Sequence, residues 1–112
     1  MRIFKILRAD EWALLQSAGE TAGAPVDLAD GFVHFSTRDQ LAETAARHFA
    51  GEDDLTLLEL DAEGLGDELK WEPSRGGALF PHLYRALSLS EVTWHETLPL
   101  VNGAHRLPDR VG

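Results

Sequence analysis

The sequence predicts an α+β domain built on a small sheet, mixed or antiparallel, with two early helices. Three observations lead there. The apolar patterns run strand, helix, strand, helix and then mostly strands, an order that suits α+β packing and not a doubly wound sheet. A chain of 112 residues has the length of one domain, which buries roughly 65% of its unfolded surface. A hydrophobic fraction of 44% beside 26% charged residues is that of an ordinary globular protein. One compact unit is expected over residues 1–98, followed by a Pro- and Gly-punctuated surface tail over 99–112.

Ile3 to Leu7 is a run of β-type apolar residues, read as a first strand central enough to have both faces covered. The first helix follows at once, with Asp10 or a neighbour as its cap and Glu11 in the favourable N-terminal turn. Trp12, Leu15 and Ala18 fall on one face, and Gly19 offers the stop. Thr21 to Asp30, with Gly23 and Pro25, reads as a surface loop.

Gly31-Phe32-Val33-His34-Phe35-Ser36-Thr37 reads as a strand. Period-two alternation sends Val33 and Phe35 to the core and leaves His34 and Ser36 on the other face. Thr37 opens Thr-x-x-Gln, a capping box for a helix from about Arg38 to Phe49, with Leu41, Ala45 and Phe49 on its apolar stripe. His48 at that helix's C-terminal end is read as a dipole partner.

Leu55 to Asp61 is the next strand. Leu69-Lys70-Trp71-Glu72 is a short strand broken by Pro73, and Ser74-Arg75-Gly76-Gly77 is a loop of turn formers. Phe80-Pro81-His82-Leu83-Tyr84 places His82 and Tyr84 on one side if extended, as Pro81 encourages. Ser88 to Glu91 reads as a turn, and Val92 to Leu98 as a half-solvated strand.

Composition narrows the function classes. Zero cysteines exclude disulfides, thiolate nucleophiles and thiolate metal sites. The net charge of −9 opposes nucleic acid and anionic membrane as partners. No apolar run approaches a membrane span or a signal-peptide core, so a cytoplasmic protein is expected. Between Gly51 and Leu69 stand eight acidic residues and no Lys or Arg, whereas Lys70, Arg75 and Arg85 flank the second histidine segment and offer local cations to a small anionic ligand.

His34, Ser36, Glu72, His82 and Tyr84 are polar residues set in apolar or turn-defined segments, the pattern of a pocket wall. Each alone has an ordinary structural explanation: a strand histidine paired with a carbonyl, a Glu72 salt bridge to Lys70 or Arg75, a core tyrosine with its hydroxyl at the edge.

Together with Lys5, Trp12, the Gly31-Phe32-Val33-His34 stretch with Ser36, Trp71-Glu72-Pro73 and Phe80-Pro81-His82-Leu83-Tyr84, the chain to about Leu98 resembles the bacterial family known as domain of unknown function 952. The resemblance implies a fold similar to the ADP-ribosyltransferases, a split sheet around a cleft for NAD. It further implies His34 and Ser36 at a ribose, Tyr84 stacking nicotinamide, His82 in the cofactor-binding set and Glu72, catalytic alongside His34, as the carboxylate that binds the ribose and orients the acceptor, with Glu96 on the last strand as rival to Glu72. No Ser-Thr-Ser motif accompanies them. Three readings stay open: an ADP-ribosyltransferase-like enzyme or binder of NAD or ADP-ribose, a non-catalytic ligand-sensing or interaction domain, and a metal site of His34, His82 and Glu72. The last ranks lowest for want of a short ligand spacing, and no metal is expected.

Overall fold

The computed structural model describes residues 1–74 and 76–112; Arg75, expected above as a local cation and loop residue, lies outside the described residues. Strand β1 (Arg2–Leu7) is buried from Ile3 onward. Helix α1 (Ala9–Ala18) begins one residue earlier than Asp10, with Glu11 Oε1 accepting the Arg8 backbone N–H at 2.8 Å, and stops at Gly19, whose φ of 80° only glycine adopts freely. Trp12 packs against the core, its ring 4.7 Å from that of His95.

The expected loop from Thr21 to Asp30 is instead a short strand, β2 (Glu20–Thr21), and a helix, α2 (Pro25–Asp30). Pro25 occupies the first helical turn, where its missing N–H costs nothing, and Asp27 reaches back to accept the Ala24 N–H at 2.7 Å. Gly23 precedes them because any Cβ there would sit 2.1 Å from the Asp27 carboxylate. Turn formers read as a loop were thus the start and stop of one helical turn and a half.

The histidine strand is also divided. β3 (Val33–His34) and β4 (Ser36–Thr37) flank Phe35, whose N–H donates to the Pro81 carbonyl at 3.0 Å. Helix α3 (Arg38–His48) starts on the expected capping box, with Gln40 Oε1 accepting the Thr37 N–H at 3.0 Å. β5 (Leu55–Asp61) leads through 3-10 turns over Ala62–Glu68 to β6 (Leu69–Ser74) and β7 (Ala78–Leu83). Pro73 does not end β6, because β6 is an edge strand and tolerates the missing donor. β8 (Leu87–Ser88), a 3-10 turn at Leu89–Glu91 and β9 (Val92–Leu98) follow.

The last segment is no loose tail. β10 (Leu100–Val101) and β11 (Ala104–His105) form a hairpin around Asn102-Gly103, both at positive φ, the dipeptide that tight hairpins favour. Beyond it Val111 is buried in the core, and Arg110 reaches the buried carboxylate of Glu59 at 3.0 Å.

The fold is therefore α+β with antiparallel sheets throughout. One sheet has the order β4-β1-β5-β9, a second has β3-β7-β6, and two-stranded ribbons join β2 to β8 and β10 to β11. Alternation along β1 splits the core in two. Phe4 and Ile6 meet Leu41 and Ala45 of α3, while Ile3 and Leu7 meet Leu15 of α1, Val33 and Leu83. Lys5 lies between Ile3 and Leu7 on the side of the strand that faces the second sheet. Among the described residues no helix is long and apolar enough to cross a membrane.

Candidate functional site

The pairing of β3 with β7 sets Val33 opposite Leu83 and His34 opposite His82. Because side chains alternate, Val33 and Leu83 enter the core while the two imidazoles share the other face. β6 adds Lys70 opposite His82 and Glu72 opposite Phe80. The histidine rings meet edge to face, centroids 5.2 Å apart at 70°. Phe32 is stacked on His82 at 4.2 Å and touches the rings of His34 at 4.6 Å and Tyr84 at 5.1 Å.

Glu72 closes one side of this cluster. Its Oε1 pairs with Nδ1 of His82 at 2.8 Å and accepts the Tyr84 hydroxyl at 2.7 Å. The Tyr84 bond first, then the His82 bond, draws the Glu72 carboxyl below its ordinary value, and the same carboxylate raises the Tyr84 phenol. Glu72 is therefore an ionised acceptor and Tyr84 a neutral donor. His82 is buried, whereas Tyr84 stands 44% exposed and forms the rim.

Asp27 closes the other side from beneath. Its Oδ1 lies 2.5 Å from Nδ1 of His34 and accepts the His34 backbone N–H at 3.0 Å; its Oδ2 accepts from Lys5 Nζ and from the Ala24 N–H, each at 2.7 Å. Burial alone would raise this carboxyl, but the bonds from His34 and Lys5 outweigh it and hold Asp27 at about 2. Burial lowers Lys5, with Asp27 opposing. The outer nitrogen of His34, Nε2, lies 3.0 Å from Oδ2 of Asp30, a half-exposed carboxylate at the end of α2. The arrangement fixes His34 with Nδ1–H toward Asp27 and presents Nε2 outward.

Four of the residues singled out in the sequence, His34, Glu72, His82 and Tyr84, thus stand together. Ser36 does not join them: it is buried on β4, its hydroxyl 2.7 Å from that of Thr44 on α3. Glu96 lies exposed on β9 in the other sheet, opposite Leu57. Arg85 is engaged by Glu91 at 2.6 Å and by Glu68 at 3.6 Å, leaving Lys70 on the histidine face. Among the described residues no group of three His, Cys, Asp or Glu side chains is placed to hold a metal ion.

Asp27, Asp30 and the central position of Phe32 were not foreseen. Asp27 carried one usable signal, its place two residues after Pro25, which marks a third helical position whose side chain can cap. Two surface clefts, of about 230 and 320 Å³, lie elsewhere. One is lined by Met1, Arg2, Thr37, Arg38 and Asp39, the other by Met1, Ala62, Glu63, Gly66, Leu69 and Trp71. Neither lining brings a histidine to a carboxylate, so the hydrogen-bonded network and not cavity volume locates the site.

The family model for a protein of unknown function, DUF952, matches residues 6–95. The chain is similar to the crystal structure of protein CC0527 from Caulobacter crescentus, at 50% identity over 99% of this chain and 98% of that one, with a TM-score of 0.95. The solution NMR structure of CC0527 from Caulobacter crescentus is 51% identical over 93% of this chain and 90% of that one, with a TM-score of 0.83. No curated protein matches the chain.

Proposed function

The chain belongs to the DUF952 family, and from that premise we propose that the His34–His82 face binds a ligand of the NAD or ADP-ribose class on a scaffold resembling the ADP-ribosyltransferases. One observation carries the reading: Phe32 and the exposed Tyr84 form an aromatic wall directly beside the ionised Glu72. A pyridinium ring is a flat cation, and both the π-faces and the carboxylate attract it. Ribose hydroxyls are donors suited to that carboxylate. Lys70, on the same face, supplies a cation for a diphosphate.

In this reading His34 contacts the sugar-phosphate part of the ligand, the ring lies against the wall that Tyr84 and Phe32 form, and Glu72 accepts from the ribose while orienting His82. Ser36, buried against Thr44 of α3, lies outside these contacts. A second reading, binding without turnover, gives Glu72 the role of an acceptor alone. A carboxylate held ionised by two hydrogen bonds is a good acceptor and a poor proton donor.

Isothermal calorimetry with NAD and ADP-ribose tests the binding, and release of nicotinamide from NAD separates enzyme from binder. Heat of binding that disappears in Phe32→Ala supports the site. Absence of binding at millimolar ligand contradicts it.

A further inference from the structure

The two carboxylates on His34 differ in kind. Asp27 is sealed in the interior, and its two oxygens are met by four donors, from Lys5, Ala24 and twice from His34. It is part of the scaffold. Asp30 stands half exposed at the last residue of a six-residue helix, and among the described residues its carboxylate engages His34 alone. Gly31, at φ 85°, follows it directly.

A carboxylate oxygen 3.0 Å from Nε2 is attracted by an N–H there and repelled by a lone pair. Nδ1 is already committed to Asp27, so Nε2 is the ring nitrogen left to meet a ligand, and Asp30 sets an anionic oxygen against it beside the rings of Phe32 and His82. We propose that Nε2 of His34 is the seat for an anionic phosphate oxygen of the ligand, and that Asp30 occupies this seat as a built-in, displaceable stand-in.

Displacement leaves nothing buried unpaired. Asp30 moves into water, the incoming oxygen takes its place, and Asp27 goes on holding the Nδ1 side of His34 from behind. Asp30 then sets the threshold for binding: it competes with every anion at its own high local concentration, and it rejects weak anions that offer no further contact. The inference rests on the NAD and ADP-ribose reading for the identity of the phosphate, and on geometry alone for the seat.

Inorganic pyrophosphate and NAD are titrated separately into wild type, Asp30→Ala, the double variant Asp30→Ala/His34→Gln, and Asp53→Asn, which removes an equal charge from an exposed position outside this face. Binding is followed by the ¹⁵N signals of the His34 ring or, in the double variant, by calorimetry. Asp30→Ala is expected to bind pyrophosphate about tenfold more tightly than wild type, with the gain lost in the double variant and absent in Asp53→Asn. Equal affinity of wild type and Asp30→Ala, or the same gain in Asp53→Asn, overturns the proposal. A pyrophosphate gain without NAD binding in any variant upholds the seat and removes the NAD reading, whereas NAD binding unchanged by Asp30→Ala does the reverse.

Discussion

His34 and His82 are direct partners across β3 and β7, with ring centroids 5.2 Å apart, although one follows the second helix and the other sits early in the last third of the chain. Phe32 holds the pair together by lying against both rings. Its removal leaves His82 without its stacked neighbour. Phe32→Ala is expected to cost about 2 kcal/mol, less than a fully buried phenylalanine because Phe32 is half-buried, as read from urea unfolding. The same variant should move the ring resonances of His82 and Tyr84, and leave those of His95 on the far sheet in place.

Asp27 ties β1, α2 and β3 together through a buried ion pair, so its loss should be felt throughout the fold. Asp27→Asn is expected to destabilise by about 3–5 kcal/mol because it strands the Lys5 ammonium, and adding Lys5→Met should recover part of the loss. The wild-type carboxyl is held at about 2, below its unfolded value, so its contribution of about 2 kcal/mol is fully present above about pH 4 and fades as pH falls through about 2. Chemical denaturation across that window should show the decline in wild type. In Asp27→Asn this component of the slope should be missing.

Tyr84 donates to Glu72 at an exposed rim. Tyr84→Phe is therefore expected to change stability by no more than about 0.5 kcal/mol, while the Glu72 carboxyl moves up toward its ordinary value. A ¹³C carboxyl titration of Glu72 in both proteins measures the shift. An unchanged titration would mean that His82 alone sets the charge of Glu72.

Much of the fold was legible where a pattern reports directly on local geometry. The apolar run of β1, the Thr37–Gln40 capping box and the Gly19 stop each depend on neighbours in sequence, and each appears where expected. The site was half legible for the same reason. His34, His82 and Tyr84 declare themselves by alternation within their own segments. What joins them is long-range: the register of β3 on β7 and the reach of Lys5 from the other sheet to Asp27. Asp27 was hidden because Gly23 and Pro25 are loop formers and helix boundaries alike, and only the carboxylate folding back over Gly23 decides between them. Ser36 was misplaced because the chain changes sheets at Phe35, which breaks the alternation that linked it to His34. The C-terminal segment read as a tail because its one core residue, Val111, has no periodic partner.

The central claim is that this histidine face takes a nucleotide through His34. Thermal unfolding in the presence of NAD or ADP-ribose tests it most directly, since a ligand that binds only the folded state at 100 times its Kd adds about 2.7 kcal/mol. The account predicts a rise in melting temperature for the wild type that is abolished in His34→Ala. No rise at millimolar ligand, or a rise of equal size in His34→Ala, would contradict it.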